Sequence, residues 1–137
     1  MQGEVLIVDD DVNACIIAET LLRSRGMRVR SAGDGTEACE IVGSGGIAVV
    51  VLELALPGMN GFEVIRRLRG RFEPLTLASP LRIVVASHRC EPEIERFAVR
   101  LGADVFLHKP VPPARFVKVV EQLLIAAAGD ADTASPA

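Results

Sequence analysis

The sequence predicts an α/β fold, an open doubly wound parallel sheet with helices on both faces. Three observations predict it. Short β-branched apolar runs recur at Val5–Val8, Ile47–Leu52, Ile83–Ala86 and Val105–Leu107, with a weaker one at Arg28–Ser31. These runs are continuous rather than alternating, which suits strands covered on both faces. Each is followed by a segment of helical periodicity, and strand then helix repeated five times gives right-handed crossovers.

After the first run, Cys15, Ala18 and Leu22 share one helical face, and Gly26 is placed to end that helix at C′. Gly33-Asp34-Gly35 is a turn, and a short helix follows from about Thr36 to Val42. Asn60-Gly61 opens a helix carrying Val64, Ile65 and Leu68. Pro92 suits a first helical turn, Ile94, Phe97, Ala98 and Leu101 form the buried stripe behind it, and Gly102 stops the helix. The last helix starts near Pro113, with Phe116, Val119, Val120, Leu123, Leu124 and Ala127 inward. From Gly129 to Ala137 the residues are small and polar, so residues 1–128 are expected to form one domain and 129–137 a flexible tail.

Composition narrows the function. Hydrophobic residues make up 50% and charged residues 24%, which excludes a disordered chain. A net charge of −3 and the lack of Trp and Tyr argue against nucleic-acid binding, whether by a basic surface or by an aromatic stacking platform. Three scattered cysteines, Cys15, Cys39 and Cys90, make no disulfide framework, so a reducing, cytoplasmic setting is expected. No stretch has the length or apolarity of a membrane span.

In such a sheet, ligands gather beyond the carboxyl ends of the strands. Strand one ends in Asp9-Asp10-Asp11, strand three in Glu53, strand four in Ser87-His88 and strand five in His108-Lys109-Pro110. One edge thus collects carboxylates, a hydroxyl and an ammonium. Clustered oxygens suit Mg²⁺, and a lysine beside them suits a phosphoryl oxygen. Asp9 and Asp10 also have a simpler reading as helix-start caps, though that leaves Lys109 unexplained. Glu53 reads equally as a structural salt-bridge partner of Lys109. Gly43-Ser44-Gly45-Gly46 lacks the Gly-Lys-Ser/Thr of a P-loop, and His88 and His108 lack zinc-site spacing with the cysteines. The basic run Arg66–Arg71 reads as a solvated helix face.

Together these residues resemble the receiver domain of response regulators in two-component signalling, from Glu4 to about Ala128. Val8-Asp9-Asp10 resembles the family's acidic pair, and Pro57-Gly58-Met59-Asn60-Gly61 its Pro-x-Met-Asp-Gly turn. Ser87 falls at the switch Ser/Thr, Phe106 at the switch aromatic, Gly102-Ala103-Asp104 at the Gly-Ala-Asp run and Lys109-Pro110 at the Lys-Pro pair, usually joined by a cis bond. The resemblance implies a five-stranded, flavodoxin-like (βα)5 fold of strand order 2-1-3-4-5. It also implies Mg²⁺ held by Asp9, Asp10, the residue at position 53 and the backbone carbonyl of Ala55, with Ser87 and Lys109 assisting phosphoryl transfer. A sensor histidine kinase or downstream signalling protein is the expected partner, met through the face of helix four, strand five and helix five. Arg89, Glu93, Arg96, Arg100, Val105 and Val111 are its candidate residues. The state is expected to be monomer or weak homodimer.

One position departs from the pattern. The family's phosphoacceptor aspartate lies four residues before the turn's proline, and here that residue is Glu53; Glu40 and Glu63 lie in helices and cannot replace it. The extra methylene lengthens the arm by about 1.5 Å and puts the carboxylate where the phosphoryl group belongs. It carries −1 where an acyl phosphate carries about −1.5 to −2. Two arrangements stay open. Mg²⁺ binds weakly among the acids, or the glutamate draws Lys109 into the pocket and displaces it. The leading reading is a phosphorylation-independent interaction switch without enzymatic activity of its own. The alternatives are a working Mg²⁺-dependent phospho-receiver and an ordinary receiver with an introduced Asp-to-Glu change. A flavin or nucleotide enzyme is disfavoured, because acids after strand one repel phosphate.

Overall fold

Alternate residues of a strand point to opposite faces, so fully apolar strands need a cover on each side. The computed structural model, which describes residues 3–70, 81–89 and 91–134, meets that need with five strands and five helices in strict alternation. They run β1 (Glu4–Val8), α1 (Val12–Arg23), β2 (Val29–Ala32), α2 (Gly35–Gly43), β3 (Ile47–Leu52), α3 (Gly61–Gly70), β4 (Arg82–Ser87), α4 (Pro92–Leu101), β5 (Val105–His108) and α5 (Pro113–Ala134). The sheet is parallel throughout, in the expected order β2-β1-β3-β4-β5.

Leu6, Val50 and Ile83 bury against Ala38 of α2, Val64, Ile65 and Leu68 of α3 and Ala98 of α4. On the other face, Val5, Val49 and Val84 bury against Leu22 of α1 and Val120 and Leu124 of α5. Each fully buried Leu or Ile contributes about 1.5–3 kcal/mol through the surface it removes from water.

Local chemistry sets the ends. Asp11 caps α1, its Oδ1 accepting from the backbone N–H of Asn13 at 2.9 Å and of Ala14 at 3.3 Å. Asp34 caps α2, accepting from the Glu37 N–H at 2.8 Å. Asn60 Oδ1 accepts from the Glu63 N–H at the start of α3. Pro92 sits in the first turn of α4, as expected.

Four details differ from the sequence reading. Helix α1 is capped at Ser24, so Gly26, with φ of +83°, lies two residues further on instead of at C′. In α4 only Ala98 is fully buried, while Phe97 is 43% exposed and sets its ring edge against Phe62 of α3, centroids 4.9 Å apart. Val117 joins the buried stripe of α5. Helix α5 continues through Ala134, past the Gly129 where the tail was expected to begin. Alanines around Gly129 favour helix, and no proline lies between Pro113 and Pro136 to stop it. Arg71 of the basic run, Cys90 and residues 135–137 of the expected tail lie outside the described residues.

At the amino-terminal edge of the sheet, Arg69 ties three elements together. Its guanidinium donates to the Gly102 carbonyl at 3.0 Å, to the Leu81 carbonyl and to Asp104 Oδ2 at 2.7 Å. The same Asp104 oxygen accepts from the Ile83 N–H at 2.8 Å.

Candidate functional site

Register brings the carboxyl-terminal residues together. Val8 pairs with Leu52, so Asp9 and Glu53 leave the sheet side by side, and the Glu53 N–H donates to the Val8 carbonyl at 2.9 Å. Ser87 pairs with His108, and the Lys109 N–H donates to the Ser87 carbonyl at 2.8 Å. Asp9, Glu53 and Lys109 thus converge from β1, β3 and β5.

The Lys109 Nζ donates to Asp9 Oδ2 at 2.8 Å and to Glu53 Oε1 at 3.0 Å. The remaining carboxylate oxygens have backbone donors: Asp9 Oδ1 accepts from the Asp11 N–H at 3.0 Å, and Glu53 Oε2 from the Ala55 N–H at 3.2 Å. Both acids are 8% exposed. Burial works against the charge on Lys109, but hydrogen bonds to Asp9 and Glu53, with their negative charge, outweigh it and raise its pKa above the ordinary 10.5. Burial, then the charge of Asp9, pushes the Cys15 thiol up; its Sγ donates to the Asp9 carbonyl at 3.3 Å.

The turn after β3 locks Glu53 from behind. Gly61 N–H donates to the Leu54 carbonyl at 2.9 Å, and a Cβ on Gly61 would stand 2.6 Å from Leu54 Cα and 3.0 Å from the Glu53 carbonyl oxygen. Gly58, at φ of +71°, reverses the chain between them. Beside the cluster, a cavity of about 390 Å³ opens between α1 and α5, left by the small side chains of Ala14, Ala18 and Ala86.

The other candidates fall as follows. Ser87 is fully buried, and its Oγ accepts from the Arg89 N–H at 3.2 Å. Asp10 is exposed, outside the Asp9–Lys109–Glu53 bridge, and the capping role belongs to Asp11. The Lys109-Pro110 bond is cis, as the resemblance implies. Phe106 is half-buried on the α4 side, its ring centroid 5.1 Å from that of His108. The six expected surface residues have different neighbours. Glu93, Arg96 and Arg100 gather around a hollow beside Phe97, Arg89 pairs with Glu91, and Val105 and Val111 pack on the core beneath α5. The sequence reading missed the side-chain contact that joins α4 to β5, His108 Nε2 to Glu95 Oε1 at 3.1 Å. Glu95 lies outside the apolar stripe of α4, and periodicity alone did not connect it to a strand end.

The Mg²⁺ implied by the resemblance needs several oxygen ligands free to turn toward it. Among the described residues, no three His, Cys, Asp or Glu side chains are grouped to hold a metal ion. Asp10 and Ala55 are exposed, and all four oxygens of Asp9 and Glu53 have donors. In this arrangement the donor set does not fit Mg²⁺. It does fit an ammonium. Among the described residues, no helix is long and apolar enough to cross a membrane.

Comparisons with known proteins agree with the fold. Residues 5–121 match the family model described as "Response regulator receiver domain". The DNA-binding response regulator MtrA of Mycolicibacterium paratuberculosis is 32% identical over 124 residues, covering 90% of this chain and 52% of that protein. The MtrA of Mycobacterium leprae matches equally, so the chain spans about half the length of these relatives. A putative response regulator from Chloroflexus aurantiacus superposes with a TM-score of 0.79 at 29% identity, covering 91% of this chain and 99% of that one. The receiver domain of a putative Luxo repressor protein from Vibrio parahaemolyticus shares the fold at a TM-score of 0.88 and 20% identity, covering both chains completely. With the matched residues spanning the whole sheet and its acidic edge, the chain belongs to the response regulator receiver domain family of two-component signalling.

Proposed function

We propose that this receiver is a protein-interaction switch whose state is set by Glu53 rather than by phosphate. Glu53 takes the place four residues before Pro57 where the family carries its phosphoacceptor aspartate. The observation that supports this reading is the double anchoring of its carboxylate, to the Lys109 ammonium at 3.0 Å and the Ala55 N–H at 3.2 Å. Phosphoryl transfer to a carboxylate rests on positioning and charge neutralisation. A carboxylate extended onto the lysine has filled the space that an incoming phosphorus needs, and a misplacement of about 1 Å costs about 10²-fold in rate.

Receiver domains are signalling modules that generally bind Mg²⁺ for phosphorylation, and response regulators work with histidine kinases and downstream effectors. Here Asp9, Asp10, Glu53 and the Ala55 carbonyl are the groups such a metal would draw on, against Lys109. In the proposed switch, Ser87 and Phe106 form the movable pair. The partner, a histidine kinase or downstream protein in the cytoplasm, docks on the face of α4, β5 and α5. Glu95 and His108 join Arg89 and Arg96 there. Binding there biases a two-state element, and Glu53 supplies the standing bias.

The test is incubation with acetyl phosphate and Mg²⁺, read by intact mass, for the natural chain beside Glu53→Asp. A phosphoryl adduct on Glu53→Asp alone is expected. Adduct on the natural chain overturns the reading in favour of a working phospho-receiver.

A further inference from the structure

We propose that the Lys109 ammonium is the resident cation of the acidic pocket, holding Asp9 and Glu53 in a single arrangement that makes no use of a divalent metal. The proposal rests on the reading of Glu53 as a built-in occupant of this pocket and adds the ion that balances it.

Four contacts carry it. Lys109 Nζ reaches Asp9 Oδ2 and Glu53 Oε1 at 2.8 and 3.0 Å, while backbone N–H groups of Asp11 and Ala55 take Asp9 Oδ1 and Glu53 Oε2. Every oxygen of the two buried carboxylates therefore has one donor, and those donors come from three different stretches of chain. Mg²⁺ accepts only near-octahedral oxygen ligands at about 2.0–2.1 Å and gives up water reluctantly. To enter, it would have to evict the amine and strip both carboxylates from it. Asp10, which would add a third negative ligand, is exposed.

The lysine also competes from a privileged position. It is covalently tethered, so its local concentration does not fall with dilution. Its backbone is fixed by the bond from its N–H to the Ser87 carbonyl at 2.8 Å, and its side chain is only 21% exposed. The length of the Glu53 arm completes the bridge: one oxygen meets the lysine while the other turns back to the N–H two residues on. Asp9 makes the same pair of contacts with its shorter arm from β1; at position 53 an acid one methylene shorter ends about 1.5 Å further from the lysine, and its oxygens are freer to turn toward a metal.

The test is a MgCl₂ titration of the ¹⁵N-labelled chain, followed at the amides of Asp10, Glu53 and Ala55 against NaCl at matched ionic strength. The titration runs to about 20 mM, where a site of about 1 mM Kd is more than about 90% filled. The natural chain is expected to shift no more with Mg²⁺ than with Na⁺. Lys109→Met, which leaves two buried carboxylates facing each other, is expected to gain saturable shifts. Glu53→Asp keeps the lysine and serves if Lys109→Met does not fold; it is expected to bind Mg²⁺ at least tenfold more tightly than the natural chain. Saturable binding by the natural chain in the low millimolar range overturns the proposal, as does absence of binding in both variants. No phosphodonor is present, so Mg²⁺ binding by the natural chain refutes the resident cation alone. A phosphoryl adduct on the natural chain refutes the Glu53 reading instead.

Discussion

Replacing Lys109 by methionine keeps the unbranched stem and removes the charge. Asp9 Oδ2 and Glu53 Oε1 both lie within 3.0 Å of the Lys109 Nζ, so these oxygens are less than about 6 Å apart. Two unit charges at that range, in an effective dielectric constant of about 20, repel by about 3 kcal/mol. Breaking a buried pair by removing one partner costs about 3–5 kcal/mol, and side-chain relaxation puts the expected loss at the lower end. For a domain of this size, about 3 kcal/mol lowers Tm by roughly 10 °C. Urea unfolding at pH 7 measures it. Because the loss comes from uncompensated acids, Glu53→Gln in the Lys109→Met background is expected to recover at least half of it. A Lys109→Met chain within about 0.5 kcal/mol of the natural one, or a double variant no more stable than the single, refutes the reasoning, since surface pairs alone reach that size.

The raised Lys109 pKa fixes a sign. The folded lysine holds its proton to higher pH than the unfolded one, so its contribution is complete below the ordinary 10.5 and falls as pH rises through the folded value. The stability gap between the natural chain and Lys109→Met is therefore expected to be flat from neutral to about pH 10 and to shrink above it; a gap that widens in alkali contradicts this. Gly61→Ala is expected to cost about 2 kcal/mol, because its Cβ would press 2.6 Å from Leu54 Cα; in that background Lys109→Met should cost less than in the natural chain, which a double-mutant cycle reads. Arg69→Ala removes three hydrogen bonds, one of them to a carboxylate, and is expected to cost about 2 kcal/mol in urea unfolding.

The strand runs were legible because a sheet covered on both faces needs continuous apolar segments, and β1, β3, β4 and β5 are of that kind. Once those runs were placed, their carboxyl ends placed Asp9, Glu53, Ser87 and Lys109, since each is the last residue of a strand or the one after it. Less legible was anything decided by side-chain reach. Asp9, Asp10 and Asp11 are alike in sequence, yet one bridges to lysine, one faces solvent and one caps a helix. Glu95 and His108 lie thirteen residues apart and meet only because α4 lies along β5. Phe97 fits the apolar period of α4 but sits where α3, rather than the sheet, is its neighbour. The end of α5 was masked by Gly129, whose helix penalty of about 1 kcal/mol is small beside the propagation of a helix already formed.

The Arg69 clamp lies at the opposite edge of the sheet from Lys109 and grips the corner where α4 passes into β5 through Gly102 and Asp104. At the other end β5 stays laddered to β4 where Ser87 pairs with His108, so the same pair of strands is anchored twice, by a guanidinium below and by its own backbone above.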